Sequence, residues 1–159
     1  MDVAFRITFD HRRFYAEREV YAQDAALSAK VASTQDIHGA IVMTNDGQPV
    51  LEIIDELLPW VQNLCFDAVS RLARGDEARV NYFSRSGWLA LKPVGDEIEV
   101  TGSLTPAAKY SKAAFLPALL ACGERFERAM RVLKKDDVAF IANLDYMRTF
   151  AESARQSLD

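Results

Sequence analysis

The sequence predicts a single α+β domain: a mostly antiparallel sheet of five or six strands, with helices packed on one face and a C-terminal helical pair. Three observations carry this. Period-two segments dominate the first half and the middle of the chain, the turns between them are too short for parallel crossovers, and the last third carries apolar residues at helical spacing.

Taken in order, Val3-Ala4-Phe5-Arg6-Ile7-Thr8-Phe9 alternates and reads as a half-buried strand with Phe5, Ile7 and Phe9 inward. A turn at Asp10-His11 and a second strand are expected before Ala22. Asp24 can accept hydrogen bonds from free amides at a helix start, so Ala25–Ala32 is predicted as a short helix. Ile37–Thr44 is apolar and partly β-branched, and Asn45-Asp46-Gly47 follows it at once. Those residues tolerate the positive φ of tight hairpins, so Gln48–Ile53 should fold back as the partner strand.

From Ile54 the period changes to that of a helix, through Leu57, Leu58, Val61, Leu64, Cys65, Ala68, Val69 and Leu72. Pro59 belongs in a first turn, where its missing amide costs nothing, which starts the regular helix at Asp55–Leu58; Gly75 marks its end. Ala78–Phe83, Trp88–Lys92 and Glu97–Thr101 then form a meander across Ser84-Arg85-Ser86-Gly87 and Pro93-Val94-Gly95-Asp96. Two apolar stripes, from Phe115 to Leu133 and from Phe140 to Leu158, predict antiparallel helices around Lys134-Lys135-Asp136-Asp137. The first is expected to begin near Ala113 or Ala114, with Pro117 in its first turn. No repeat or low-complexity tract divides the 159 residues.

An apolar share of 50% argues against disorder, and two cysteines are too few for a disulfide scaffold. The opening residues lack a signal-peptide layout, and no apolar run reaches membrane-span length, so the expectation is a cytoplasmic protein with reduced thiols and no membrane partner. The net charge of -4 is uneven: residues 1–70 carry five basic and eleven acidic side chains, whereas residues 71–159 carry fourteen and twelve. An acidic half repels phosphate backbones and attracts basic partners, which weighs against nucleic acid; the competing reading is a solvated acidic surface.

No catalytic constellation stands out. The chain has no glycine-rich phosphate loop and no Gly-x-Ser-x-Gly elbow. His11 and His38 are the only histidines and lack partners at zinc spacing, Cys65 and Cys122 stand apart, and neither a metal nor a cofactor is expected. Asp36 and His38 would share a strand face, an arrangement that raises a histidine pKa, although a surface histidine at a strand start explains it as well. The basic doublets Arg12-Arg13 and Lys134-Lys135 are expected to be solvated or at helix ends.

Two features mark a candidate binding surface. One is the acidic set Asp46, Glu52, Asp55 and Glu56 on the hairpin and helix start, which could equally offset a helix dipole. The other is Arg85 beside Trp88 at a hairpin tip, residue types enriched among interface anchors. A central-strand position favours a core role for Trp88 instead.

The N-terminal strand, the hairpin around Thr44-Asn45-Asp46-Gly47-Gln48-Pro49-Val50-Leu51, the helix with Leu57-Leu58-Pro59-Trp60-Val61-Gln62-Asn63-Leu64-Cys65, the meander and the Phe/Leu-rich helical end together resemble small bacterial immunity proteins of polymorphic toxin systems. The resemblance lies in architecture and has no diagnostic motif, so no functional residue carries over. It implies a non-catalytic protein that neutralises a cognate, basic toxin domain by tight binding. The alternatives are a small-molecule-binding protein or enzyme with a pocket between sheet and helices, whose polar groups would be Asp36, His38, Tyr82 and Arg85, and a self-associating structural subunit.

Overall fold

The computed structural model describes residues 1–22 and 24–159 and is α+β. Its strands and helices run β1 (Asp2–Thr8), β2 (Phe14–Ala16), α1 (Glu17–Tyr21), α2 (Ala25–Ser33), β3 (His38–Asn45), β4 (Gln48–Glu56), α3 (Leu57–Trp60), a π-helical stretch Val61–Ala68, α4 (Val69–Ala73), β5 (Ala78–Asn81), β6 (Trp88–Val94), β7 (Glu97–Gly102), β8 (Ala108–Ser111), α5 (Lys112–Leu133) and α6 (Val138–Leu158). The strands form two four-stranded antiparallel sheets, β2-β1-β3-β4 and β5-β6-β7-β8, in place of the single five- or six-stranded sheet expected.

The division has its cause at the end of β4. After β4 the chain enters a helix at once, and the segment after β5 sends its amides to a carboxylate on β4 instead of to a strand backbone. The two edges are joined by a side chain, and among the described residues no ladder crosses between them. The short strands β2 and β8 complete the count. The segment after β2 turns helical where a strand was expected, because Glu19 closes back on the Ala16 amide (2.8 Å).

The first hairpin folds as its turn residues dictate, with Asp46 and Gly47 at φ 50° and 77°. The α2 start is capped as expected by Asp24, which accepts from Ala26 and Leu27. The helix after β4 begins at Leu57 and is wound wider than an α-helix over Val61–Ala68, so the regular helix expected from Asp55–Leu58 onward is corrected there. Its apolar residues are buried on several sides: Leu64, Cys65 and Phe66 are consecutive and all inaccessible, because α5, α6 and β5 all pack on this stretch. Together α3, the π-helical stretch and α4 make a central helix.

Helix α5 is the shared wall of the core. It packs on β1 of the first sheet and on β7 and β8 of the second, with Phe115, Leu119, Phe126 and Met130 inward. It begins at Lys112 and carries Pro117 in the second turn. Arg125 on α5 donates to Glu17 (2.8 Å) and to the Val3 carbonyl (2.6 Å), while Glu17 also accepts from the Phe5 amide (3.0 Å). Lys134 stands at the end of α5, one of the two places expected of it, but it is not solvated: its side chain is buried and its ammonium donates to the Ala32 and Thr34 carbonyls at the end of α2. Those carbonyls have no further helical partner, so a cation there closes the helix end.

Candidate interaction surface

The strand β4 positions most of the acidic candidates, and its pleat sends them in opposite directions. Leu51, Ile53 and Asp55 point inward and are buried, whereas Glu52, Ile54 and Glu56 lie on the outer face. Asp55 is only 2% exposed and presents no charge to a partner, which corrects its assignment to a binding surface. One of its oxygens accepts from the Trp60 indole (2.8 Å) and the Phe83 amide (2.5 Å); the other accepts from the amides of Glu56 (2.8 Å) and Ser84 (3.0 Å) and from the Ser84 hydroxyl. Burial pushes this carboxyl up, but the hydrogen bonds from Ser84, Trp60, Phe83 and Glu56 outweigh it and bring it down to about 2.

The next carboxyl behaves oppositely. Burial and the neighbouring Asp36 charge raise Glu56 above its ordinary value, against a smaller opposing pull from His38. His38 faces Glu56 across β3 and β4, and its ring meets His11 edge-on at 5.5 Å. The Nδ1 atom of His38 is buried without a hydrogen-bond partner. Among the described residues, no group of three or more His, Cys, Asp or Glu side chains is arranged to hold a metal ion.

Glu52 is exposed in the row next to Val42, four residues from Glu56 on the same face, a separation of about 13 Å along the strand. Asp46 is exposed at the hairpin tip, four residues beyond Val42, the cross-strand partner of Glu52, and so about 13 Å further along the hairpin. The surface acids are therefore strung along one hairpin. Between them lie the small or apolar side chains of Ala40, Val42 and Ile54, and Arg6 is the cation beside Ile54's row.

The loop held by Asp55 carries the other candidates. Arg85 donates to the Ile54 carbonyl (3.0 Å) at the free edge of β4 and stacks over the Tyr82 ring at 4.9 Å. Tyr82 in turn meets Trp60 edge-on at 5.0 Å. Gly87 closes the loop at φ 141°, and a Cβ there would stand 2.8 Å from the Ser103 hydroxyl and 3.1 Å from the Tyr82 ring, so no other residue fits without displacement. Trp88 is half-buried on the outer face of the second sheet, under Arg79 at 4.9 Å, and the core role expected of a central strand is corrected: Leu89 and Leu91 take it.

Two apolar side chains that the sequence reading missed stand at the same corner. Phe83 is 66% exposed and Leu104 54% exposed. Leu104 reaches the space beside Gly87, and the Ser103 hydroxyl accepts from the Trp88 amide (2.9 Å), which ties the β7–β8 connection to the loop after β5. A phenylalanine beside a turn carries no orientation signal in sequence; only the capture of its amide by Asp55 turns the ring out.

Beyond this corner, a groove of about 820 Å³ is lined by Asp67, Arg71, Arg79, Lys92, Glu99 and Thr101. Its alternating charges favour no ligand of a single sign. Asp36 and His38 gather near Glu56, while Tyr82 and Arg85 sit on the loop at the edge of β4; the space between sheets and helices is filled by Phe5, Phe66, Phe115 and Phe126. No helix among the described residues is long and apolar enough to cross a membrane. No protein-family model matches the chain, and neither a curated protein nor a solved structure matches it significantly.

Proposed function

We propose that the protein is a non-catalytic binding domain that neutralises a basic protein toxin by forming a tight complex with it, in the manner of an immunity protein. The observation that carries the reading is the pairing of an outward acidic strand face, with Glu52 exposed and Glu56 partly so, and a corner where Phe83 and Leu104 are exposed beside Arg85 and the half-buried Trp88. Both flank the same loop, the one fixed to the end of β4. Acidic side chains steer a basic partner and set the association rate, whereas buried aromatic and arginine side chains supply most of the lasting affinity.

The test is reconstitution with a candidate basic toxin domain that arrests growth when expressed alone. Co-expression of this chain should restore growth, and the purified pair should run as a stoichiometric complex whose association slows as salt rises. The combined variant Asp46→Asn, Glu52→Gln, Glu56→Gln should slow association about tenfold with little change in dissociation, and Phe83→Ala should do the reverse. A complex indifferent to both variants, or no stoichiometric basic partner at low salt from the native source, overturns the reading.

A further inference from the structure

The two cysteines, 57 positions apart in sequence (65 and 122), lie where α5 packs on the central helix: Cys65 stands against Gly123, the chain neighbour of Cys122, and the two thiols interact. Both are fully inaccessible to solvent. The crossing is unusually close at this point, because Gly123 on α5 has no side chain: a Cβ there would lie 2.7 Å from the Cys65 Cβ and 2.7 Å from the Phe66 ring. Packed helices ordinarily keep their axes about 8–10 Å apart, too far for most facing cysteine pairs, and a disulfide needs Cα atoms within roughly 7 Å. Gly123 removes that obstacle next to Cys122.

We propose that Cys65 and Cys122 are an oxidation site, a latent disulfide that locks α5 to the central helix. The co-reactant is a low-molecular-weight disulfide of the glutathione class. One cysteine thiolate attacks a sulfur of the oxidant and releases one thiol; the second cysteine then displaces the other half from the mixed disulfide. The protein loses two protons and two electrons and gains one S–S bond, and the oxidant's S–S bond becomes two thiols. The Cys65 thiol beside it and burial both push the Cys122 thiol well up, which keeps the folded, closed pair inert. Exchange therefore runs through opened molecules, and the bond is set during folding or on transient opening. Once made, it constrains the unfolded chain between two helices of the core, and α5 in turn holds β1 through Arg125.

The experiment is refolding of the full chain from urea in a mixture of reduced and oxidised glutathione, against refolding in reductant alone. The oxidised sample should lose about 2 Da, show no thiol alkylatable after denaturation, and melt several degrees higher than the reduced one. Cys65→Ser and Cys122→Ser should instead each yield a glutathione adduct and no rise in melting temperature; where serine prevents folding, the alanine variants serve the same purpose. Two free thiols in the oxidised wild type, persistent glutathione adducts on both cysteines, or a disulfide that leaves the melting temperature unchanged or lower would each overturn the proposal.

Discussion

The two faces of β4 treat the same chemical group in opposite ways. Asp55, pointing inward, is surrounded by five donors and is held at about 2, while Glu56, the next residue, faces outward beside Asp36 and is raised. A buried carboxylate is tolerable only when its lone pairs are filled, and here the loop after β5 supplies three of the five donors. The inward acid is tied into the fold, whereas the outward acids stand on the face proposed for partner binding. Charge counted along a sequence cannot separate these roles, because the pleat reverses them from one residue to the next.

Breaking the inward acid has the largest expected effect. Asp55→Ala strands the Trp60 indole and the Phe83 and Ser84 amides, and should cost about 3 kcal/mol or more in urea unfolding. A loss below about 1 kcal/mol would show that the loop holds its place without the carboxylate.

The second test uses pH. Asp55 is depressed from 3.8 to about 2 in the folded protein, so its contribution of about 2 kcal/mol is complete above about pH 4 and disappears as pH falls toward 2. Acid titration of stability should show that loss in the wild type and a weaker one in Asp55→Asn. Glu56 works with the opposite sign: its raised pKa makes the folded state bind a proton more readily than the unfolded chain, so Glu56→Gln should modestly stabilise the protein at neutral pH.

Smaller effects follow on the outer surface. Trp88→Ala removes a half-buried ring and its contact with Arg79, and should cost about 1 kcal/mol in thermal or urea unfolding. Glu52→Gln should change stability by no more than about 0.5 kcal/mol, since its side chain is exposed; a larger change would assign Glu52 to the fold with Asp55.

Much of this layout is legible before any coordinates. Asn45-Asp46-Gly47 can hardly do other than turn the chain, Asp24 has the chemistry of a helix cap, and the two C-terminal stripes run at helical spacing; each depends on neighbours within a few residues. The signal for Asp55 was also present. Leu51, Ile53 and Asp55 share one parity and Glu52 and Glu56 the other, so strict alternation carried through the end of the strand places Asp55 among the buried side chains. What hid it was the change to helical spacing at Ile54, which drew Asp55 into the helix. The split into two sheets was not legible, because it depends on where the Phe83 and Ser84 amides find acceptors 28 and 29 residues away. The exposure of Phe83 follows from that same distant contact, whereas Trp88 takes the outer face by alternation with the buried Leu89 and Leu91 of β6. The meeting of Cys65 and Cys122 depends on a helix crossing, which no local pattern reports.

The position of α5 as the shared wall also sets an order of events during synthesis. The first sheet is complete in sequence at Glu56, but the helix that covers β1 ends at Leu133. At about 5–20 residues per second, roughly 4–15 s of translation separate the two. During that interval Val3, Phe5 and Ile7 have no α5 to bury them, so a nascent chain at this stage offers an apolar sheet to chaperones or to other chains, until Arg125 reaches Glu17 and closes it.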